Sequence, residues 1–167
     1  MKINCLSIII PVFNEEETIF NLLETICNVQ LIQDIKKEIV IINDGSTDNS
    51  DDVIKDFMNK NPELNIKYVS LMRNFGKGHA IHMGIKEANG DYLIIQDADL
   101  EYDPKEYNKL LKPIIFGFAD IVYGSRFMGS NPHRILFFWH SIGNKFLTTL
   151  SNIFTNLNLT DMETCYK

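Results

Sequence analysis

The sequence contains an acidic motif whose residue types and spacing could bind a divalent metal ion. Asp97, Asp99 and Glu101 alternate with apolar residues directly after a short apolar run. In an extended or turning segment alternate side chains point the same way, so the three carboxylates can face one point. Such carboxylates repel one another unless a cation neutralises them, and all-oxygen ligands suit Mg²⁺ or Mn²⁺. The motif therefore predicts a metal site that bridges to substrate phosphates. The alternative is a solvated acidic turn before a helix that begins at Pro104.

A polar turn at residues 43–48 could recognise a nucleotide. Gly45 permits a tight turn, and Ser46 or Thr47 can cap the following helix, so capping explains most of this segment. Capping does not require Asp44, whose carboxylate could accept hydrogen bonds from a base or a ribose. We expect Asp44 to lie at the rim of the site and to contribute little to packing.

A glycine-flanked lysine, Lys77, precedes another predicted helix within the sequence RNFGKG at 73–78. Exposed backbone N–H groups and the ammonium group could hold a diphosphate there. The spacing of a Walker loop is absent, and a plain helix-start turn explains these residues equally well. His79 and His82 are expected to be ordinary surface or packing side chains, because no third soft ligand lies nearby.

Short apolar strands and longer amphipathic helices alternate along the chain and must position these residues. The hydrophobic period predicts strands at 6–12, 38–42, 66–71, 92–96 and 119–123, and helices at 15–29, 48–59, 78–88 and from residue 104. Near-continuous apolar strands that alternate with helices predict an α/β fold with a parallel sheet covered on both faces. Ligands of such sheets bind beyond the carboxyl ends of the strands, where the polar segments fall.

Composition excludes several classes of protein. The chain has 167 residues, enough for one domain, and 45% of them are hydrophobic. Its formal net charge of −6 argues against a nucleic-acid partner. Three widely spaced cysteines lack the spacing of zinc ligands and favour a reducing compartment. The apolar run at 6–13 is interrupted by Pro11 and followed by acidic residues, so it predicts a buried strand rather than a signal peptide.

A cationic, aromatic-rich segment occupies residues 121–160, which contain no Asp or Glu. Within it, residues 134–154 carry an apolar stripe at helical spacing, formed by Ile135, Phe138, Trp139, Ile142, Phe146, Leu150 and Ile153. A helix that packs on the core is the commonest explanation of such a stripe. The functional alternative is a helix that lies in the plane of a membrane surface, since basic residues flank an acid-free aromatic face.

Four motifs together resemble the family-2 glycosyltransferases of the GT-A fold, and among them the polyprenyl-phosphate sugar transferases similar to dolichyl-phosphate mannose synthase. In the family's order they are IIIPVFNEEETI at 8–19, IVIINDGSTDNS at 39–50, RNFGKGHAIHMGIKEANGDYLIIQDADLEYDP at 73–104 and YGSRF at 123–127. The resemblance implies a Rossmann-like GT-A domain with a mostly parallel sheet and helices on both faces. Residues 1–125 would form its nucleotide-sugar-binding core, and 126–167 an acceptor-side segment of the same domain.

The resemblance also implies a role for each matched side chain. The nucleotide-sugar ligands would be Pro11, Phe13, Glu15, Asp44, Lys77 and Asp97. Asp99 and Glu101 would bind Mg²⁺ or Mn²⁺, Arg126 and Arg134 would hold the acceptor phosphate, and catalysis would depend on Asp97, Asp99 and Arg126. Two positions depart from the family pattern: Asn43 replaces a common Asp, and Glu101 replaces a Gln that is common in lipid-directed relatives.

The function so implied is transfer of a hexose from a nucleotide-diphosphate sugar of the GDP-mannose or UDP-glucose type to a polyprenyl phosphate. It would depend on a metal, invert the sugar and occur at the cytoplasmic face of a membrane, with the protein peripheral to that surface. A lipid phosphate is already a nucleophile, so no general base is needed. Two alternatives remain: a saccharide acceptor in cell-envelope polysaccharide synthesis, which would want a carboxylate base that 121–160 lacks, and a truncated, non-catalytic nucleotide-binding module.

Overall fold

Four parallel strands form one sheet in the computed structural model, which describes residues 3–125, 138–162, 164 and 166. The strands are β1 (Cys5–Val12), β2 (Lys36–Asn43), β3 (Ile66–Ser70) and β4 (Tyr92–Ile95), in the spatial order β3-β2-β1-β4. The helices in the described residues are α1 (Ile19–Asn28), α2 (Ser50–Lys60), α3 (Lys77–Glu87), α4 (Tyr107–Ile115) and α5 (Phe138–Thr155). Two 3-10 turns, Ile32–Asp34 and Pro104–Glu106, precede β2 and α4.

Helices cover both faces of the sheet, as the apolar strands predicted. The larger core joins Ile8 and Ile10 of β1 to apolar side chains of α1, α2 and α4. A smaller core on the opposite face joins Ile9 and Ile42 to Ala80 of α3. Successive side chains of a strand point to opposite faces, so β1 is apolar throughout because it is buried on both sides.

Gly84 allows α3 to pack closely on the sheet. A Cβ atom at this position would lie 2.4 Å from Cγ2 of Ile9, which is fully buried. The close contact fixes the height of α3 over β1, and thereby the position of Lys77 at the first turn of the helix.

The predicted fifth strand at 119–123 is wrong: residues 119–125 form bends and irregular backbone. Within the described part of the chain they pair with no strand, and Ile121 is exposed. An apolar run becomes a strand only where a neighbouring strand can satisfy its backbone N–H and C=O groups. The division of the chain at 125 and 126 stays a prediction, because 126–137 lie outside the described residues.

Helix α5 has its apolar face outward and its polar face inward. Asn144 and Thr148 are buried, whereas Trp139, Phe146 and Ile153 are 77%, 66% and 71% exposed. The core-packing alternative is therefore wrong for the described part of this stripe. The apolar stripe alone could not show which face of α5 packs on the protein, since a periodic pattern defines two faces without assigning either to the core.

The inward face of α5 contacts the segment that follows it through hydrogen bonds. The Asn144 amide donates to Asp161 Oδ1 at 2.8 Å, and the Thr148 hydroxyl donates to Asn144 Oδ1 at 3.0 Å. The Met162 N–H donates in turn to Thr148 Oγ1 at 3.2 Å. Across the described residues, no helix combines the length and hydropathy that a membrane crossing would need.

A buried carboxylate, Glu38, ties β2 to the turn that leads into β4. It accepts hydrogen bonds from the Ser7 hydroxyl at 2.5 Å and from the Asn89 backbone N–H at 2.7 Å, and it pairs with Lys67 at 3.0 Å. Burial alone would raise the pKa of Glu38, but the hydrogen bonds from Asn89, Ser7 and Lys67 outweigh it and hold the pKa at about 2. The folded protein therefore strongly favours the ionised form.

We expect Glu38→Gln to remove a part of the stability that depends on pH. A carboxyl group whose pKa is lowered by folding stabilises the protein above its unfolded pKa of about 4.3, and this contribution is lost as pH falls towards the folded value. The variant should be less stable than the wild type by about 3 kcal/mol at pH 7. The difference should shrink steadily between pH 4.5 and 2, as urea denaturation at several pH values would measure.

Glu24→Gln provides the control, because Glu24 is an exposed carboxylate of α1. The Glu24→Gln variant should be about as stable as the wild type at pH 7. A difference between Glu38→Gln and the wild type that stays constant down to pH 2 would contradict the assigned pKa.

Candidate active site

A cleft of about 230 Å³ opens at the carboxyl ends of the strands. It is lined by Pro11, Val12, Phe13, Glu15, Asp44, Asn74, Lys77, Ala80, Asp97, Ala98 and Asp99. Seven of these are predicted site residues, and they lie at or just after the carboxyl ends of the four strands. The parallel topology brings the loops together, because the carboxyl ends of all four strands lie at one edge.

The loops after β1 and β2 are joined by reciprocal hydrogen bonds. The Asn14 N–H donates to Ser46 Oγ at 3.0 Å, and Asn14 Oδ1 accepts from the Thr47 N–H at 2.8 Å. The Glu15 N–H donates to Ser50 Oγ at 2.8 Å. Asn14 has a left-handed backbone (φ 57°), which Asn tolerates better than most residues. The cross-links hold Phe13 and Glu15 beside Asp44.

Asp44 is buried, and the expectation of a rim carboxylate that contributes little to packing is wrong. It is 3% exposed, and its two oxygens accept hydrogen bonds from the Phe75 N–H at 2.9 Å and the Gly76 N–H at 2.8 Å. Asp44 therefore fixes the loop that leads into α3. Each carboxylate oxygen accepts more than one hydrogen bond, so the side chain can still meet a ligand in the cleft.

Gly45 lets this loop lie directly on the turn after β2. Its backbone is left-handed (φ 69°), and a Cβ atom would lie 2.4 Å from the carbonyl carbon of Arg73. The predicted need for glycine in a tight turn is confirmed. A second reason appears only in the fold, namely the close backbone approach.

Lys77 begins α3 and forms an ion pair with Asp97 across the cleft. Its Nζ atom lies 2.5 Å from Asp97 Oδ1, and the lysine side chain is 54% exposed. The ammonium group therefore projects to the mouth of the cleft while one carboxylate balances its charge. A phosphate group there would meet the cation and the first turn of a helix, whose positive end favours anions.

The acidic motif is a turn rather than an extended segment. Leu100 has a left-handed backbone (φ 61°), and the Glu101 N–H donates to Asp99 Oδ1 at 3.1 Å. Asp97 and Asp99 line the cleft, whereas Glu101 does not. The sequence left an extended or a turning segment open, and the structure has the turn, in which two of the three carboxylates line the cleft. No group of three His, Cys, Asp or Glu side chains suited to a metal occurs among the described residues.

Arg126 and Arg134, the predicted acceptor-phosphate residues, lie outside the described residues. Asn74 also lines the cleft, although no specific role was predicted for it from the sequence. Its Oδ1 atom accepts a hydrogen bond from the Gly76 N–H at 2.8 Å, the same N–H group that Asp44 binds. The motif RNFGKG contained the residue, but only the fold shows that its side chain closes the turn.

Replacement of Asp44 by Ala should destabilise the protein itself, with no ligand involved. The change leaves the Phe75 N–H without its carboxylate partner and the Gly76 N–H with Asn74 Oδ1 alone, and loss of such hydrogen bonds typically costs about 1–3 kcal/mol. Urea denaturation would measure the loss. Asp56→Ala is the control, since it removes the same charge from an exposed site on α2 and should change stability little. Equal stability of Asp44→Ala and wild type would show that Asp44 does not hold this loop.

Known proteins with similar sequences include several sugar transferases. The chain is 38% identical to an undecaprenyl-phosphate 4-deoxy-4-formamido-L-arabinose transferase of Proteus mirabilis over 111 residues, which cover 66% of the chain and 33% of the relative. It is 34% identical to a dolichol-phosphate mannosyltransferase of Pyrococcus furiosus over 122 residues, 73% of the chain and 33% of the relative. The chain thus spans about a third of the length of each of these relatives.

Solved structures with similar folds are glycosyltransferases as well. A mannosyltransferase of Pyrobaculum calidifontis in complex with GDP-Man and Mn²⁺ matches with a TM-score of 0.54 and 26% identity, over 59% of this chain and 28% of that one. S. aureus TarS residues 1–349 in complex with UDP-GlcNAc match with a TM-score of 0.56 and 29% identity, over 67% of this chain and 31% of that one. These neighbours confirm the predicted GT-A fold. Residues 7–166 match the sequence profile described as "Glycosyl transferase family 2", and the chain belongs to that family.

Proposed function

We propose that this chain binds the nucleotide-diphosphate sugar donor, of the GDP-mannose or UDP-glucose type, of an enzyme that transfers a hexose to a polyprenyl phosphate. The observation that carries the proposal is the cleft, where Asp44, Lys77, Asp97 and Asp99 meet from three loops. Two relatives named for undecaprenyl-phosphate and dolichol-phosphate substrates support the acceptor class.

The donor would lie with its base towards Asp44 and its diphosphate towards Lys77. Asp44 can accept hydrogen bonds from base N–H groups, and Pro11, Phe13 and Glu15 form the adjoining wall. The Lys77 ammonium group, which pairs with Asp97 in the protein without ligand, would also bind the diphosphate oxygens. Its positive charge would then stabilise the leaving group. The proposed donor site thus uses the arrangement that the apo protein already holds.

The residues at the cleft fit a Mg²⁺ or Mn²⁺ ion. Asp97 and Asp99 offer hard oxygen atoms on the same side as Lys77, and such ions are commonly held by one or two carboxylates together with substrate phosphates. Bound there, the ion would neutralise charge that develops on the leaving diphosphate. The proposed ligands are Asp99 and Asp97, since Glu101 lies outside the cleft lining.

In the proposed reaction an oxygen of the lipid phosphate forms a bond to the anomeric carbon as the bond from that carbon to the nucleoside diphosphate breaks. Direct in-line displacement inverts the sugar, and the phosphate nucleophile carries no proton that a base must remove. Arg126 and Arg134 are proposed to hold this acceptor phosphate, since a guanidinium group can bind phosphate in bidentate fashion.

The outward apolar face of α5 is proposed to meet the membrane that contains the acceptor. Trp139, Phe146, Ile153 and Phe154 are all more than 60% exposed, and Lys145 lies exposed on the same helix. Exposed apolar side chains on a helix without acidic residues suit the interface between lipid headgroups and acyl chains. This orientation would make the protein peripheral to the cytoplasmic face.

Asp99→Asn is expected to weaken Mn²⁺-dependent binding of a nucleoside diphosphate by about 1–3 kcal/mol, the usual scale for a charge-assisted contact. Titration calorimetry with and without a chelator would measure it. The matched variant Glu101→Gln makes the same charge change outside the cleft and should retain most of the affinity. Transfer of label from GDP-mannose or UDP-glucose to polyprenyl phosphate, scored in organic solvent, should fall in Asp99→Asn.

Two outcomes would contradict this site. Equal Mn²⁺-dependent affinity in the wild type and Asp99→Asn would remove Asp99 from it. A wild type that moves no label from either donor into organic solvent would overturn the proposed transfer to a lipid acceptor.

The proposed membrane contact predicts that the chain sediments with anionic liposomes. Basic residues contribute about 1 kcal/mol each near such a surface, so binding should rise with anionic lipid and fall with salt. Trp139 is the single tryptophan and is 77% exposed, so its emission should shift to the blue on binding.

Phe146→Gln with Ile153→Gln should reduce this sedimentation, because both side chains lie on the exposed face of α5. Phe20→Gln, at a less exposed apolar site on α1, is the control and should leave it unchanged. Liposome binding that survives the paired α5 change would show that another surface meets the lipid.

A further inference from the structure

The side chain of Gln96, directly after β4, is fully buried beneath the acidic turn. Its Nε2 atom donates hydrogen bonds to the carbonyl oxygens of Asp97 at 3.0 Å and Tyr102 at 3.1 Å. One amide group therefore binds both ends of the 97–102 turn. The turn carries Asp99, the proposed metal ligand, at its outer side.

The other end of the same amide is satisfied by two tyrosines. Gln96 Oε1 accepts hydrogen bonds from the Tyr107 hydroxyl at 2.7 Å and the Tyr166 hydroxyl at 3.0 Å. Burial raises the pKa of Tyr107, so this hydroxyl stays a donor. An amide offers two donors and two acceptor sites, so every hydrogen-bonding position of Gln96 is filled. The orientation of the amide is therefore fixed. If it were rotated by 180°, its NH₂ group would meet the donating tyrosine hydroxyls and its oxygen would meet the carbonyl oxygens of Asp97 and Tyr102.

Tyr166 connects this hydrogen-bond network to the segment around Gly124. Its ring lies 4.8 Å from that of Tyr102, and its carbonyl oxygen accepts a hydrogen bond from the Gly124 N–H at 2.9 Å. Gly124 stands two positions before Arg126, the proposed acceptor-phosphate residue. The contacts of Gln96 thus connect the acidic turn to the segment that leads to the acceptor side.

We propose that Gln96 is a positioning residue that sets the conformation of the 97–102 turn and thereby the metal-dependent part of donor binding. The effect on donor binding rests on the proposed function. The effect on the conformation of the turn rests only on the hydrogen bonds of the protein without ligand. Groups that orient metal ligands without touching the metal typically change metal affinity or activity by about 10–100-fold when altered. Gln96 acts on the backbone at both ends of the turn, so its effect should fall at the lower end of that range.

Gln96→Glu is the discriminating variant, because it preserves size and the oxygen that the tyrosines bind. It replaces the donating NH₂ group by an oxygen that faces two carbonyls. Tyr107→Phe is the matched control, since it removes a hydrogen bond from the same buried amide but leaves both bonds to the turn. A merely structural role would lower the stability of both variants and leave the ratio of nucleotide affinities with and without Mn²⁺ unchanged.

The first measurement is amide hydrogen exchange of the full chain without ligand. In Gln96→Glu the amide hydrogens of residues 97–102 should exchange faster than in the wild type, while those of α3 should exchange at the same rate. In Tyr107→Phe the exchange rates at 97–102 should stay close to those of the wild type. If Gln96→Glu does not fold, Gln96→Asn, whose shorter side chain cannot reach both carbonyls, should give the same pattern. Unchanged exchange at 97–102 in the folded variant would overturn the proposal whatever the protein does with nucleotides.

The second measurement is titration with GDP and UDP, each with Mn²⁺ and with chelator. Gln96→Glu should reduce the Mn²⁺-dependent gain in affinity about tenfold while the affinity in chelator changes little. A gain that stays within twofold of wild type would overturn the role in metal-dependent binding. A wild type that shows no gain with Mn²⁺ would overturn the proposed metal site, and the exchange result would still decide whether Gln96 positions the turn.

Discussion

The cleft depends on hydrogen bonds that join one loop to the next at the carboxyl edge of the sheet. The buried Asp44 carboxylate is the central example, since it follows β2 and holds the backbone N–H groups of the loop after β3. Asn14 and Ser46 join the loops after β1 and β2 in the same way. A parallel sheet aligns the loops, but side chains decide how each one closes. The residues that face a ligand and the residues that hold the cleft are therefore partly the same.

The sheet region and helix α5 differ in which side chains they bury. Around the sheet, isoleucine and leucine side chains are inside, and the buried Glu38 is fully paired. In α5 the polar side chains face inward, while aromatic and aliphatic residues face out. Such an inverted helix is unfavourable in water and suits contact with an apolar phase. Donor binding and acceptor approach would thus depend on different physical forces, charge and hydrogen bonding on one side and the hydrophobic effect on the other.

The sequence predicted most of the sheet, because strands buried on both faces carry runs such as Ile8–Ile10 that have no other good explanation. The sequence also predicted site residues at the carboxyl edge of the sheet, and seven of them line the cleft there. It failed where contacts between distant segments decide the outcome. Buried Asp44 accepts hydrogen bonds from Phe75 and Gly76, and Glu101, which follows the left-handed residue Leu100, does not line the cleft. The outward face of α5 could not be deduced, since periodicity alone does not say what a helix packs against.

The order of the strands also bears on how the protein folds. Among the strands of the described residues β4 comes last but pairs with β1, so Ile94 must pair with Ile8 from a distant part of the sequence. Non-local parallel pairing is slow, because a long loop must close before its contacts stabilise it. Asp97 and Asp99 lie in the turn after β4 and can reach the cleft only when that pairing is complete. The acidic side of the cleft should therefore be among the last features to form, and an intermediate without it would have its β1 edge open to other chains.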